Sequence, residues 1–158
     1  MSENIIGIAD ALDYINTLPI AIKHRDVKPT NILIENEGEE NERWVLSDFG
    51  LSLFDTDTNE IALGTLMFQA PENFDSGSKA SIESDLYSFA KTYAVILAGS
   101  KAIRQNNSQY FYDSSKPSLS DDLSKLIEDR CGLPKDIAER AANLLNIGTN
   151  NDRTQRLI

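Results

Sequence analysis

"IKHRDVKPTNILI", residues 22–34, is the stretch that decides the fold. His24, Arg25, Asp26, Lys28 and Asn31 crowd between two apolar runs. Apolar flanks draw the backbone toward a core, and polar groups drawn in with it need partners or ligands. Such crowding marks a site of chemistry.

Upstream, Ile5, Ile8, Ala9, Leu12 and Ile15 recur at helical spacing, which predicts an amphipathic helix over 3–17 ended by Pro19. Downstream, "NILIE" (31–35) and "RWVLS" (43–47) read as two strands of a hairpin. The acidic "NEGEENE" between them, with Gly38, is its solvated loop. From Asp48 to Glu72 no period is sustained, and Gly50, Gly64 and Pro71 punctuate the segment. Aperiodic stretches of that length are usually functional or disordered. "SDLYSFAKTYAVILAGS" (84–100) predicts a helix apolar over most of its circumference, hence central. Residues 101–120 read as loop with one short helix at most. Two further helices follow, 120–132 with a Ser/Asp cap and Gly132 as its stop, and 134–148 with Pro134 at its first position. There is no internal repeat and no second domain.

The chain has 158 residues, 41% hydrophobic and 25% charged, enough for one domain with a real core. Its net charge of −10 argues against nucleic acid, which is held chiefly by Lys and Arg, and against an anionic membrane surface. Phosphate ligands stay open, because a metal ion can bridge them to acidic side chains. The lone Cys131 excludes a disulfide framework and a cysteine-rich metal site, and it reads as a core thiol. The start of the chain lacks a signal-peptide pattern, and the longest apolar run, Tyr93–Ala98, is too short to span a bilayer. A cytoplasmic location is the expectation.

The order of several short motifs carries the functional reading. H-R-D-x-K-x-x-N occupies 24–31, D-F-G 48–50, Gly64-Thr65 and Ala70-Pro71-Glu72 follow, Asp85 opens the central helix, and Arg153 stands near the end. Each alone is weak; their coincidence in one order is not. The set resembles the protein-kinase family, in its Ser/Thr branch, over essentially the whole chain. The resemblance implies a mainly α fold, the C-terminal lobe of a kinase, with a short β-hairpin carrying the catalytic-loop and D-F-G residues.

The resemblance also assigns roles. Phosphoryl transfer needs positioning and charge neutralisation more than covalent chemistry. Asp26 would accept the proton of the acceptor hydroxyl, and Lys28 would neutralise the transferred phosphate. Asn31 and Asp48 would hold Mg²⁺ against ATP, and Leu33 would floor the adenine. His24 would pack on Phe49. Arg25 would pair with a phosphate on the activation segment 48–72, with Thr56 and Thr58 as candidate sites; Asp55, Asp57 or Glu60 could instead be a permanent partner. Thr65 would help read a Ser/Thr acceptor. Glu72 and Arg153 would form a buried ion pair, and Asp85 would cap the backbone at His24 and Arg25. The implied partners are ATP and a protein substrate.

The pattern departs at its start. Only 23 residues precede His24, with no G-x-G-x-x-G and no strand lysine, since Lys23 abuts the motif. The expectation is a partial kinase domain over 1–158, inactive without an N-lobe supplied by the full-length protein or in trans. A kinase-like scaffold lobe that binds a protein without catalysis is the alternative. A small-molecule phosphotransferase is disfavoured by Arg25, Lys28, Gly64-Thr65 and Ala70-Pro71-Glu72, which belong to protein-substrate machinery.

Overall fold

The computed structural model describes residues 2–54, 67–74, 81–104 and 118–156. These residues form a mainly helical body with a small antiparallel hairpin at one side. Helix α1 (Ser2–Thr17) buries Ile8, Leu12 and Ile15, one stripe at i, i+4, i+7. That stripe packs with Val27 and Leu46, flanked by Ile22, Ile32, Trp44 and Phe89. The hairpin is β2 (Ile32–Glu35) and β3 (Arg43–Leu46), with Ile32 opposite Leu46 and Ile34 opposite Trp44. Its loop is not merely solvated. Glu42 accepts from Gly38 N and Asn4 Nδ2, both at 2.9 Å, which ties the turn to α1.

A second pairing was not legible in the sequence. Strand β1 (Ile22–Lys23) runs antiparallel to β4 (Leu53–Phe54). Two residues cannot show a period of two, so only tertiary context reveals them. This pairing holds the chain after the D-F-G stretch beside the chain before the H-R-D stretch.

Helix α2 (Ile82–Ala98) starts two residues earlier than expected because Ser81 caps it, its side chain accepting from Ser84 N. Gly99 ends it at φ 76°. The helix is central, as its apolar circumference predicts, yet Ser84, Asp85, Ser88, Lys91 and Thr92 are buried on it as well. Helices α3 (Leu123–Cys131) and α4 (Lys135–Gly148) pack against it around Ala90, Ala94, Leu97, Leu119, Leu123, Ile127, Ala138, Ala142 and Leu145. The alanines on α2 let α4 approach closely. A Cβ added at Gly148 would lie 2.8 Å from Ala90 Cβ. Pro134 stands at the N-cap of α4, one place before the expected first helical position, because its carbonyl already accepts from Ile137 N and Ala138 N. Among the described residues no helix is long and apolar enough to cross a membrane.

Candidate active site

The segment between β1 and β2 is held open by α2. Asp85, 2% exposed, accepts from His24 N at 2.7 Å and Arg25 N at 2.8 Å. Burial pushes its carboxyl up, and the two backbone donors oppose that. They are needed because Arg25 sits at φ 70°, in the left-handed region that costs a non-glycine residue roughly 1–2 kcal/mol. Two residues further along, Thr92 Oγ1 donates to Val27 O at 3.2 Å. Sequence reasoning passed over Thr92. The available signal was a hydroxyl in the middle of an otherwise apolar helix.

His24 is fully buried. Its Nδ1 accepts from Asp26 N at 3.4 Å, so Nε2 carries the proton and donates to Ser47 O at 3.1 Å. The ring meets Phe49 edge-on with centroids 4.7 Å apart. One imidazole thus joins the H-R-D and D-F-G stretches, and both of its nitrogens are engaged in doing so.

Asp26 is 7% exposed, and its Oδ2 receives Lys28 Nζ at 2.6 Å and Asn31 Nδ2 at 3.1 Å. Asn31 Nδ2 also donates to Asp26 O at 2.8 Å. The 3-10 turn Pro29–Asn31 brings the three together, with Asn31 N bonded to Lys28 O. Because the amide nitrogen of Asn31 is committed to Asp26, its Oδ1 is left as an oxygen donor. Ser47 N and Oγ both donate to Asn31 O, at 2.8 and 2.9 Å, which seats Asp48 beside that turn. Asp48 is exposed at φ 64°, and its Oδ1 accepts from Gly50 N at 3.3 Å. An amide oxygen and a carboxylate suit a hard divalent cation such as Mg²⁺, which prefers oxygen ligands and keeps several waters. No cluster of three or more His, Cys, Asp or Glu that could hold a metal ion occurs among the described residues. Leu33 lies on β2, two residues past Asn31, and is 53% exposed.

The ion pair of Glu72 requires a correction. Its partner is Arg156, with Nη1 2.6 Å from Oε1 and Nη2 2.9 Å from Oε2. Arg153 is exposed. The cause is local. Asp152 caps a 3-10 turn at Arg153–Gln155, which leaves Arg153 outside and turns Arg156 inward three residues later. Arg156 also donates to Asn150 O and Glu83 O and lies 4.7 Å over the Tyr87 ring. Burial alone would raise Glu72, but Arg156 and Ser84 hold it below the usual carboxylate range. Thr56, Thr58 and Thr65 lie outside the described residues.

The chain is 32% identical to the "Serine/threonine-protein kinase PknF" of Mycobacterium tuberculosis over 80% of its own length and 28% of that protein. It is 35% identical to rat "Receptor-interacting serine/threonine-protein kinase 3" over 65% of the chain and 21% of that protein. The Mycobacterium bovis "Serine/threonine-protein kinase PknK" is 30% identical over 98% of the chain and 16% of that protein. The chain thus spans less than a third of the length of these relatives. The family model of the protein kinase domain matches residues 1–158, and the chain belongs to the protein kinase family, in its serine/threonine branch.

Proposed function

We propose that these residues carry the phosphoryl-transfer centre of a serine/threonine protein kinase, moving the γ-phosphate of ATP to Ser or Thr hydroxyls of a protein. The observation that carries this reading is the Asp26 carboxylate, nearly buried and clamped between Lys28 Nζ and Asn31 Nδ2. Asp26 orients the acceptor hydroxyl and takes its proton as the new O–P bond forms and the bond from the γ-phosphate to the ADP oxygen breaks. Lys28 neutralises charge on the transferred group while holding Asp26 in place. Asn31 Oδ1 and Asp48 hold Mg²⁺, which supplies positive charge against the phosphates. Leu33 offers an apolar surface to the adenine.

Residues 1–158 act in this reading as the C-terminal lobe, with the nucleotide covered by an N-lobe in the full-length protein or in trans. Supporting this, Leu33 is half exposed and the 158 residues hold no G-x-G-x-x-G sequence. Alone, the chain is not expected to transfer phosphate efficiently. A cytoplasmic location accords with this activity.

The test is Mg-ATP-dependent phosphate transfer to a Ser/Thr protein by the full-length protein. Asp26→Asn should lower the rate on the order of a thousandfold. Transfer that survives this change removes Asp26 from its role.

A further inference from the structure

Lys91 is a buried cation without a counter-charge among the described residues. It is 5% exposed, and no carboxylate among the described residues pairs with it. Its neighbour is the Tyr87 ring, 5.2 Å from Nζ. Arg156, itself paired with Glu72, lies 4.7 Å from the centroid of the same ring. Buried charges in folded proteins are otherwise paired or hydrogen-bonded. Nζ is not among the sealed polar atoms lacking a hydrogen bond, so the stem is buried while the tip keeps some access to the surface.

Position on α2 says what could reach that tip. Ser84, Ser88 and Lys91 recur at i, i+4, i+7 and share one face. Ser84 Oγ donates to Glu72 at 2.9 Å, so this face lies toward the chain at Met67–Glu72, where Gln69 is also buried. The adjacent residue Thr92 touches Val27 O, between Asp26 and Lys28. Thr92 thus ties this turn of α2 to the Asp26–Lys28 stretch, while Lys91 Nζ reaches back toward the Tyr87 ring one turn earlier. Burial lowers its pKa to about 8, the response expected of an ammonium that lacks an anion.

Resting on the kinase reading, we propose that Lys91 selects acidic acceptors. Its ammonium receives a carboxylate or phosphate on the peptide, within about three residues of the accepting hydroxyl, given a helix about 10 Å across and about 3.3 Å per extended residue. The complex replaces an unpaired buried cation with a charge-assisted hydrogen bond.

The test uses single-serine peptides in which one Glu is moved from three places before the serine to three places after, each with a Gln counterpart. Affinity for the full-length protein is read by fluorescence anisotropy at fixed ionic strength. One Glu position should bind at least tenfold tighter than its Gln counterpart. Lys91→Met, verified as folded by thermal melting, should erase the difference. In the unmodified protein labelled with ¹³C-lysine, the Lys91 resonance should move with that Glu peptide and not with its Gln counterpart. Equal affinities, a preference that survives Lys91→Met, or a motionless Lys91 resonance each overturn the proposal. The chain's own Asp55, Asp57 and Glu60 are a second source of the same chemistry. A Glu preference that emerges only after all three are changed to Asn or Gln would assign the anion to that stretch and overturn the peptide assignment. Phosphate transfer is measured in parallel. Transfer without Glu preference rejects Lys91 alone, and Glu preference without transfer rejects the kinase reading alone.

Discussion

Lys91 sets the residue scale, because it is the clearest case of a side chain the fold does not favour. Unfolded, its amine has a pKa near 10.4; folded, burial lowers it to about 8. Below pH 8 both states are protonated, and the fold bears the full penalty of a desolvated charge. Between about pH 8 and 10.5 the unfolded chain holds the proton and the folded one does not, so stability rises with pH. That lowering corresponds to roughly 3 kcal/mol as an upper bound. Lys91→Met is expected to raise stability by about 1–3 kcal/mol at pH 7, with the gain fading toward pH 10.5. Urea titrations at the two pH values check this, and a constant gain would mean that the amine is not desolvated. At this same scale the place of Asp85 at the start of the central helix was legible in the sequence, while its capping of His24 and Arg25 was legible only through the family resemblance. The choice between Arg153 and Arg156 was not. Both are arginines three residues apart, and only the Asp152-capped turn sends one in and the other out.

At the scale of elements, the long periodic helices were legible to within about three residues, because a buried stripe repeats several times along each. Strands β1 and β4 were not, since neither is long enough to repeat anything. Two contacts between elements can be probed singly. Gly148→Ala places a methyl against Ala90, where 2.8 Å leaves no room without moving α4 from α2. The expected loss is about 1–2 kcal/mol, overpacking outweighing the gain in helix propensity. An unchanged melting temperature would show that α4 slides at no cost. The second contact is the pair that ties the 71–74 turn to the end of the chain. Arg156→Ala leaves Glu72 half-buried and uncompensated, and should cost about 3–5 kcal/mol, whereas Arg153→Ala should stay within about 0.5 kcal/mol. Because Glu72 is held below its usual range, the Arg156 contribution exists above the unfolded glutamate pKa and is lost as pH falls through the folded one. The two variants should therefore differ most near neutral pH and converge in acid. Equal losses at pH 7 would put the pair back on Arg153.

At the scale of the whole molecule, the two cores divide the labour. The α2–α3–α4 core is built of small and branched apolar residues sealed on all sides. The α1–hairpin core buries Ile8, Leu12, Ile15, Val27 and Leu46 as well, but leaves part of β2 open. Leu33 and Ile34 are consecutive on β2, so they point to opposite faces, yet they are 53% and 44% exposed. A two-stranded hairpin is marginal by itself and needs burial on at least one face. Here Ile32, Trp44 and Leu46 pack on the α1 cluster and Glu42 ties the turn to Asn4 of α1, while Leu33 and Ile34 stay exposed. The exposed pair contributes little to folding and much to stickiness. Leu33→Ser combined with Ile34→Thr should leave the urea midpoint within the equivalent of about 0.5 kcal/mol and reduce concentration-dependent light scattering. A large loss of stability would show that these side chains are buried in solution, by a second copy of the chain or by another lobe, and the hairpin would then belong to an interface. If stability holds while scattering falls, β2 presents an open apolar edge directly beside Asp26, Asn31 and Asp48. That placement is the one the proposed adenine surface at Leu33 requires.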